Sequence, residues 1–273
     1  MAKLLSGTEL VGYIQERQAR QVRALRQASH IFPHLVIIKS TAASPVIETY
    51  IRMKQRYAQE ILIDTTVETL DEADMPAAIE RLNSDSTVHG IIVQLPLADR
   101  SLTDQIVNLI APEKDVDGLG KDAHYDSATA TAINWLLSGY AIDLRDKAIA
   151  IVGNGRLVGA PLARIWQQSN YTVTVLDDTT HDIADVLYKS DVIVTATGVP
   201  GLITSDMIQI GATVIDAGTA SENGVIVGDL DPAIRERDDL KMTPEKGGVG
   251  PLTIAALCEN VIQAASKVAE QDQ

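Results

Sequence analysis

The stretch Ile149-Ala150-Ile151-Val152-Gly153-Asn154-Gly155-Arg156-Leu157-Val158-Gly159 reads as a buried strand, a glycine turn and the opening of a helix. Four apolar residues without alternation fit a strand covered on both faces, as in a parallel sheet. The glycines fall as GxGxxxG, one residue longer than the usual dinucleotide fingerprint. Gly153 suits the tight turn, and Gly155 lets backbone approach a pyrophosphate. The helix N-terminus that follows offers free N–H groups and a positive dipole to phosphates. On spacing alone such a string is weak, because turns use glycine anyway. Its surroundings strengthen it. Asp177 closes the next strand (172–176), near the spacing of roughly 20 residues expected of a ribose-binding acid. Thr197-Gly198 and Asp216-Ala217-Gly218 also end strands, where open α/β sheets place ligands. A Rossmann-type NAD(P)-binding domain is therefore expected over 139–252. Its candidate cofactor contacts are Gly153, Gly155, Arg156, Leu157, Val158, Asp177, Thr197, Gly198 and Gly218.

The alternation of strand and helix continues toward the N-terminus. The run Leu35-Val36-Ile37-Ile38 predicts a buried strand, and Pro45 opens a helix through Glu60. Ile61-Leu62-Ile63 reads as a second strand, Met75 to Leu82 as a helix, and Gly90 to Gln94 as a third strand stopped by Pro96. A helix over 102–110 follows. Residues 111–126, with Pro112, Gly118 and Gly120, read as a loop, and a helix over 128–137 links the halves. The helix after the glycine turn is expected from Leu157, and the closing helix from Thr253. The expected class is α/β with two domains and a cleft between them: an N-terminal substrate domain over 1–138, joined by the helix 253–273, and the Rossmann-type domain.

With 273 residues the chain is long enough for two such cores. Lys and Arg number 23 against 37 Asp and Glu, a net charge of −14. That balance gives no general attraction to nucleic acid or to anionic lipid, so no partner of either kind is expected. The apolar start ends at Leu5 and no long apolar run follows, so neither a secretory leader nor a membrane span is expected. One cysteine, Cys258, fits a reducing compartment, and a cytoplasmic protein is expected. Cys258 lies among Ile254, Leu257 and Val261 and reads as core. The five histidines show no metal-ligand spacing, so no metal is expected.

In the first half, Tyr50 and Lys54 stand one helical turn apart, Gln94 ends a strand, and Asp117-Gly118 sits in the loop. Alone, each has an ordinary explanation: a solvated lysine, a strand cap, a turn. These residues take the reading only as far as a two-domain NAD(P)-dependent enzyme. The ordered strings go further: Tyr50-Ile51-Arg52-Met53-Lys54, Gly90-Ile91-Ile92-Val93-Gln94-Leu95-Pro96-Leu97 and Pro112-Glu113-Lys114-Asp115-Val116-Asp117-Gly118. In the second half stand Thr197-Gly198-Val199-Pro200-Gly201, Val227-Gly228-Asp229 and Gly247-Gly248-Val249-Gly250-Pro251-Leu252-Thr253. In this order they resemble the bifunctional methylenetetrahydrofolate dehydrogenase/methenyltetrahydrofolate cyclohydrolase family over nearly the whole chain.

The resemblance implies a tetrahydrofolate derivative bound in the cleft. It makes Lys54 the central catalytic group, supported by Gln94, with Tyr50 packed on the folate and Asp117 bonded to the pterin. It also brings Gly248, Pro251 and Thr253, in the glycine-rich loop, against the flat ligands. A homodimer and NADP are the family defaults. Asp177 and Asp178, however, put two negative charges where a 2′-phosphate would sit, and Arg156 alone opposes them, so the local chemistry favours NAD.

The chain also departs from the family pattern. Ser127-Ala128-Thr129-Ala130 replaces Pro-Cys-Thr-Pro, Pro244-Glu245-Lys246 replaces Pro-Val-Pro, and Gly155 stands where serine is common. Two other readings are an NAD(P)-dependent amino- or hydroxy-acid dehydrogenase and a non-catalytic folate- or nucleotide-binding descendant. The Lys54, Gln94 and Asp117 strings argue against the first, and retention of Lys54 against the second.

Overall fold

The computed structural model describes residues 3–222 and 225–271, so the outermost positions of the expected domains, 1–2 and 272–273, lie outside the described residues. In chain order the elements begin β1 (Lys3–Leu4), α1 (Gly7–Ala28), β2 (His34–Ser40), α2 (Pro45–Glu60), β3 (Asp64–Leu70), α3 (Met75–Ser84), β4 (Gly90–Val93) and α4 (Thr103–Val107). They continue α5 (Ala128–Gly139), β5 (Ile149–Val152), α6 (Gly159–Gln168), β6 (Val173–Leu176), α7 (Ile183–Tyr188), β7 (Val192–Thr195) and β8 (Thr213–Asp216). The last are β9 (Ala220–Glu222), β10 (Val225–Val227), β11 (Lys241–Met242) and α8 (Val249–Gln271). The chain forms two compact units: Gly12–Ala128 with Ile254–Gln273, and Met1–Val11 with Thr129–Thr253. We call them the Lys54 unit and the Gly153 unit.

The Lys54 unit holds a three-stranded parallel sheet in the order β3-β2-β4. Its core gathers Val36, Ile38, Ile79, Ile91 and Val93 from strands and helix. Ile61-Leu62-Ile63 is not a strand. Ile61 N–H bonds back to the carbonyls of Tyr57 and Ala58, Ile63 N–H also reaches Ala58, and Leu62 takes a φ of 68°. The three residues close α2, and the edge strand is instead Asp64-Thr65-Thr66-Val67-Glu68-Thr69-Leu70, whose β-branched residues suit a half-solvated edge.

The Gly153 unit holds a six-stranded parallel sheet in the order β1-β11-β8-β7-β5-β6. β5 has β6 on one side and β7 on the other, so the strand order reverses there, and ligands of open α/β sheets bind at such a point. β1 and β11 are two residues each, too short to carry a period. Residues 1–11 and most of α5 group with this unit rather than with residues 12–128, where a boundary at 138 was expected. The reason is local: β1 pairs with β11, Ser6 N–H donates to the Tyr140 hydroxyl at 2.8 Å, and Gly7 abuts the carbonyl of Gly248. α6 begins at Gly159, not Leu157, because Arg156 to Val158 form a turn first. α8 begins at Val249, not Thr253, so Pro251 lies in its first turn, where proline is tolerated.

Candidate active site

Helix α2 carries Tyr50 and Lys54. Its N-terminus is fixed by Ser44, whose hydroxyl accepts from Ile47 N–H, and by Pro45 in the first turn. Its buried face is Ile47, Ile51, Tyr57 and Ala58. Lys54 stands three residues after Ile51 and four before Ala58, in line with that face rather than opposite it. Lys54 Nζ donates to Gln94 Oε1 at 2.8 Å. Gln94 follows β4, its N–H bonded to Ile38 O, and its own amide nitrogen donates to Leu95 O at 3.0 Å. That second bond turns the amide so that its oxygen faces the lysine.

Asp117 comes from the segment beside β4. Ile91 N–H bonds to Lys114 O, and Asn260 on α8 donates to the carbonyls of Val116 and Asp126. Gly118 has a φ of 68°, and a Cβ there would come within 2.7 Å of the backbone of 125–127. Asp115, itself buried, accepts from the N–H groups of Gly118 and Gly120. The loop is thus held from both flanks.

The electrostatics follow from this packing. Burial lowers the Lys54 pKa, while the charge of Asp117 and then the Cys258 side chain push it back up. Burial raises Asp117, and Lys54 pulls it down. Burial also raises the Tyr50 phenol. Cys258 is fully buried and its thiol is pushed up to about 12, which suits core packing and not nucleophilic attack. A groove of about 610 Å³ on the same unit, lined by Arg26, Arg52, Arg56 and Gln59, contains none of these residues.

In the Gly153 unit the glycine turn sits at the carboxyl end of β5. Gly153 has a φ of 98°, and a Cβ there would stand 2.7 Å from Ala196 O. Gly159 packs directly on the Gly153 carbonyl, which answers the longer GxGxxxG spacing. Cβ atoms on Gly155 and Gly198 would meet nothing within 4 Å, so these two glycines border open space. Such an open, glycine-edged strand end fits a dinucleotide. Asp177 follows β6, and its Oδ1 accepts from Thr179 N–H and from the Thr179 and Thr180 hydroxyls. The Thr179 bonds hold its carboxyl below the ordinary value.

Lys54, Gln94 and Asp117 therefore meet within one unit, with Tyr50 one turn before the lysine. Gly248, Pro251 and Thr253 belong to the other unit. There Gly248 is buried against Gly7, and the Thr253 hydroxyl donates back to Val249 O at 3.3 Å. Asp216 and Asp229 interlock across two loops, a contact that neither Asp216-Ala217-Gly218 nor Val227-Gly228-Asp229 encodes locally. Among the described residues no three His, Cys, Asp or Glu side chains converge as a metal requires, and no helix is long and apolar enough to cross a membrane.

An amine bonded to an amide and lying in the field of a carboxylate in one unit, and a glycine cradle at the switch point of a parallel sheet in the other, define a dinucleotide-dependent α/β enzyme. More narrowly, the chain belongs to the tetrahydrofolate dehydrogenase/cyclohydrolase family. Residues 5–117 match its catalytic domain, and residues 127–269 its NAD(P)-binding domain. The bifunctional protein FolD of Macrococcus caseolyticus is 34% identical, over 97% of this chain and 98% of that one. The crystal structure of the bifunctional FolD enzyme, methylenetetrahydrofolate dehydrogenase/cyclohydrolase, of Campylobacter jejuni matches with a TM-score of 0.91 at 33% identity, covering 98% and 100% of the two chains. The Trypanosoma brucei enzyme, solved with NADP cofactor and an inhibitor, matches at 0.90 with 28% identity, covering 98% of each.

Proposed function

We infer that this protein oxidises 5,10-methylenetetrahydrofolate to the 5,10-methenyl compound with NAD(P) and hydrolyses that product to 10-formyltetrahydrofolate, within one-carbon metabolism. The observation that carries this reading is the Lys54–Gln94 bond of 2.8 Å beside Asp117, in a chain of this family. When bound, NAD(P) supplies the hydride acceptor for the one-carbon bridge. The residues of the chain then manage the proton traffic. Lys54, with its pKa lowered by burial, is deprotonated more readily than a surface lysine and takes a proton from the water that attacks the methenyl carbon. It returns that proton to the ring nitrogen as the carbon–nitrogen bond opens, while the hydroxyl on the former methenyl carbon gives its proton to solvent, leaving the formyl group on the other nitrogen. Gln94 keeps one amine proton engaged and so aims the lone pair. Asp117 accepts from the donor-rich edge of the pterin, and the Tyr50 ring packs on its face. Gly248, Pro251 and Thr253 flank the folate as positioning contacts.

For the cofactor we propose Gly153, Gly155, Arg156, Leu157, Val158, Thr197, Gly198 and Gly218 as the contacts, with Asp177 on the ribose. Asp177 Oδ2 is the oxygen its Thr179 and Thr180 bonds leave over, and its charge favours a 2′-hydroxyl over a 2′-phosphate. NAD is therefore the preferred dinucleotide, with Arg156 the group that opposes this choice. The protein acts as a cytoplasmic homodimer. Absorbance assays of both half-reactions on one preparation test the reading, and the absence of either would reject it as stated. Steady-state rates with NAD and NADP test the preference; a higher kcat/KM for NADP that collapses in Arg156→Ala would reverse it.

A further inference from the structure

The string Val227-Gly228-Asp229 takes no part in the chemistry above, yet its aspartate is fully buried at the cofactor end of the six-stranded sheet. One oxygen of Asp229 accepts from the Thr195 hydroxyl at 2.5 Å and from Thr197 N–H at 2.7 Å. Thr195 ends β7, and Thr197 opens the loop whose preceding carbonyl, Ala196 O, faces Gly153. The other oxygen, Oδ1, is buried with no partner among the described residues. A buried, unsatisfied carboxylate oxygen is costly, and its retention calls for a reason.

Asp229 is itself tied to the next strand. Asp216, at the end of β8, accepts from the N–H groups of Gly218 and Asp229, each at 3.1 Å, with Arg235 Nη2 at 3.7 Å. The two loops exchange carboxylates through missing side chains. A Cβ on Gly218 would lie 2.1 Å from Asp229 Oδ1, and one on Gly228 would lie 2.0 Å from Asp216 Oδ2. Each glycine makes room for the other loop's aspartate. The chain of contacts runs from β8 through Asp216 and Asp229 to Thr197, and ends against the glycine turn after β5.

We propose that Asp229 is a positioning residue for the dinucleotide: acting through Thr197, it fixes the Thr197-Gly198 loop against the Gly153 turn at the spacing the cofactor needs. Asp216 anchors Asp229 from behind, and Gly218 and Gly228 are glycines because the interlock leaves no space for a Cβ. The inference rests on the reading that Thr197, Gly198 and Gly218 face the cofactor.

The test compares Asp229→Asn, Thr195→Val and Thr195→Ser by steady-state oxidation of methylenetetrahydrofolate, with thermal melting of each. Asp229→Asn is expected to raise the dinucleotide KM about tenfold, equivalent to about 1.4 kcal/mol, while the folate KM changes less than about twofold. Thr195→Val, which removes one donor at constant shape, should raise the dinucleotide KM severalfold. Thr195→Ser, which keeps the hydroxyl, should restore it. A merely structural role would lower the melting temperature and the active fraction without splitting the two KM values. A folded Asp229→Asn with the wild-type dinucleotide KM, or equal rises in both KM values, would overturn the proposal. If Asp229→Asn does not fold, the Thr195 pair decides: identical behaviour of the valine and serine variants overturns it. Failure of the underlying reading is separate, and would be seen as wild-type dinucleotide affinity in Gly153→Ala.

Discussion

The two units put their chemistry in different parts of the chain. In the Lys54 unit the candidate site is made of side chains: an amine bonded to an amide whose own nitrogen is tied to the strand end, and a carboxylate on a loop whose backbone is held from α8. In the Gly153 unit the site is made of backbone, bordered by glycines and held from behind by buried aspartates. The first kind is damaged by removing atoms, the second by adding them. A side-chain site also depends on local electrostatics, so its activity should follow pH, whereas a backbone site should respond mainly to shape.

The largest expected effect comes from truncating the amine. Lys54→Met should lower methenyl hydrolysis by about 10²- to 10⁴-fold, the usual weight of general acid–base catalysis. Its melting temperature should hold or rise, because a desolvated amine is removed from a helix face that is otherwise apolar. The sign can be checked against pH. The folded amine has a lower pKa than the unfolded one, so between the two values unfolding takes up protons and wild-type stability rises with pH. That component of the slope should vanish in Lys54→Met, and melting curves across that range check it.

Next is the pterin contact proposed for Asp117. Asp117→Ala should weaken folate binding by about 10- to 150-fold, the range for losing a hydrogen bond to a charged group, as read by calorimetry. Unchanged binding would reduce Asp117 to a turn residue. The smallest effect sharpens the contrast. Gly153→Ala forces an alanine to a φ of 98° and into Ala196 O, so it should destabilise by about 1–3 kcal/mol and weaken dinucleotide binding. Gly155→Ala meets no neighbour, so it should melt normally and lose dinucleotide affinity alone. Thermal melts paired with dinucleotide titrations separate the two; a destabilised Gly155→Ala would break the distinction.

Much of the fold was legible because periodicity and punctuation agreed. β5, β7 and β8 are short, mainly apolar or β-branched runs, with glycine or aspartate at or within three residues of their ends, and their positions follow directly. The Ile61-Leu62-Ile63 run misled because apolar residues that cap a helix look like a buried strand, while the real strand is half polar. Lys54 carried a signal that composition hides. As an isolated helical lysine it reads as solvated, yet it falls in register with Ile47, Ile51 and Ala58, and a lysine on an apolar stripe points inward. The Asp216–Asp229 interlock was not legible, since it joins two loops by contacts that no local pattern encodes. The grouping of residues 3–11 with the Gly153 unit has a similar origin: a two-residue strand at each of two distant positions pairs across the sheet edge.

Lys54, bonded to Gln94 and biased toward its charged form by Asp117, is the group proposed to exchange the proton during hydrolysis. The pH profile of methenyltetrahydrofolate hydrolysis, corrected for the spontaneous rate and compared in wild type and Asp117→Asn, tests it most directly. The rate should rise with pH to a plateau, with a midpoint below the ordinary lysine value of about 10.4. In Asp117→Asn the midpoint should move lower still, because the negative charge that favours the ammonium form is gone. A midpoint that stays in place or moves upward in Asp117→Asn, or a wild-type profile retained in Lys54→Met, would contradict the assignment of the proton to Lys54.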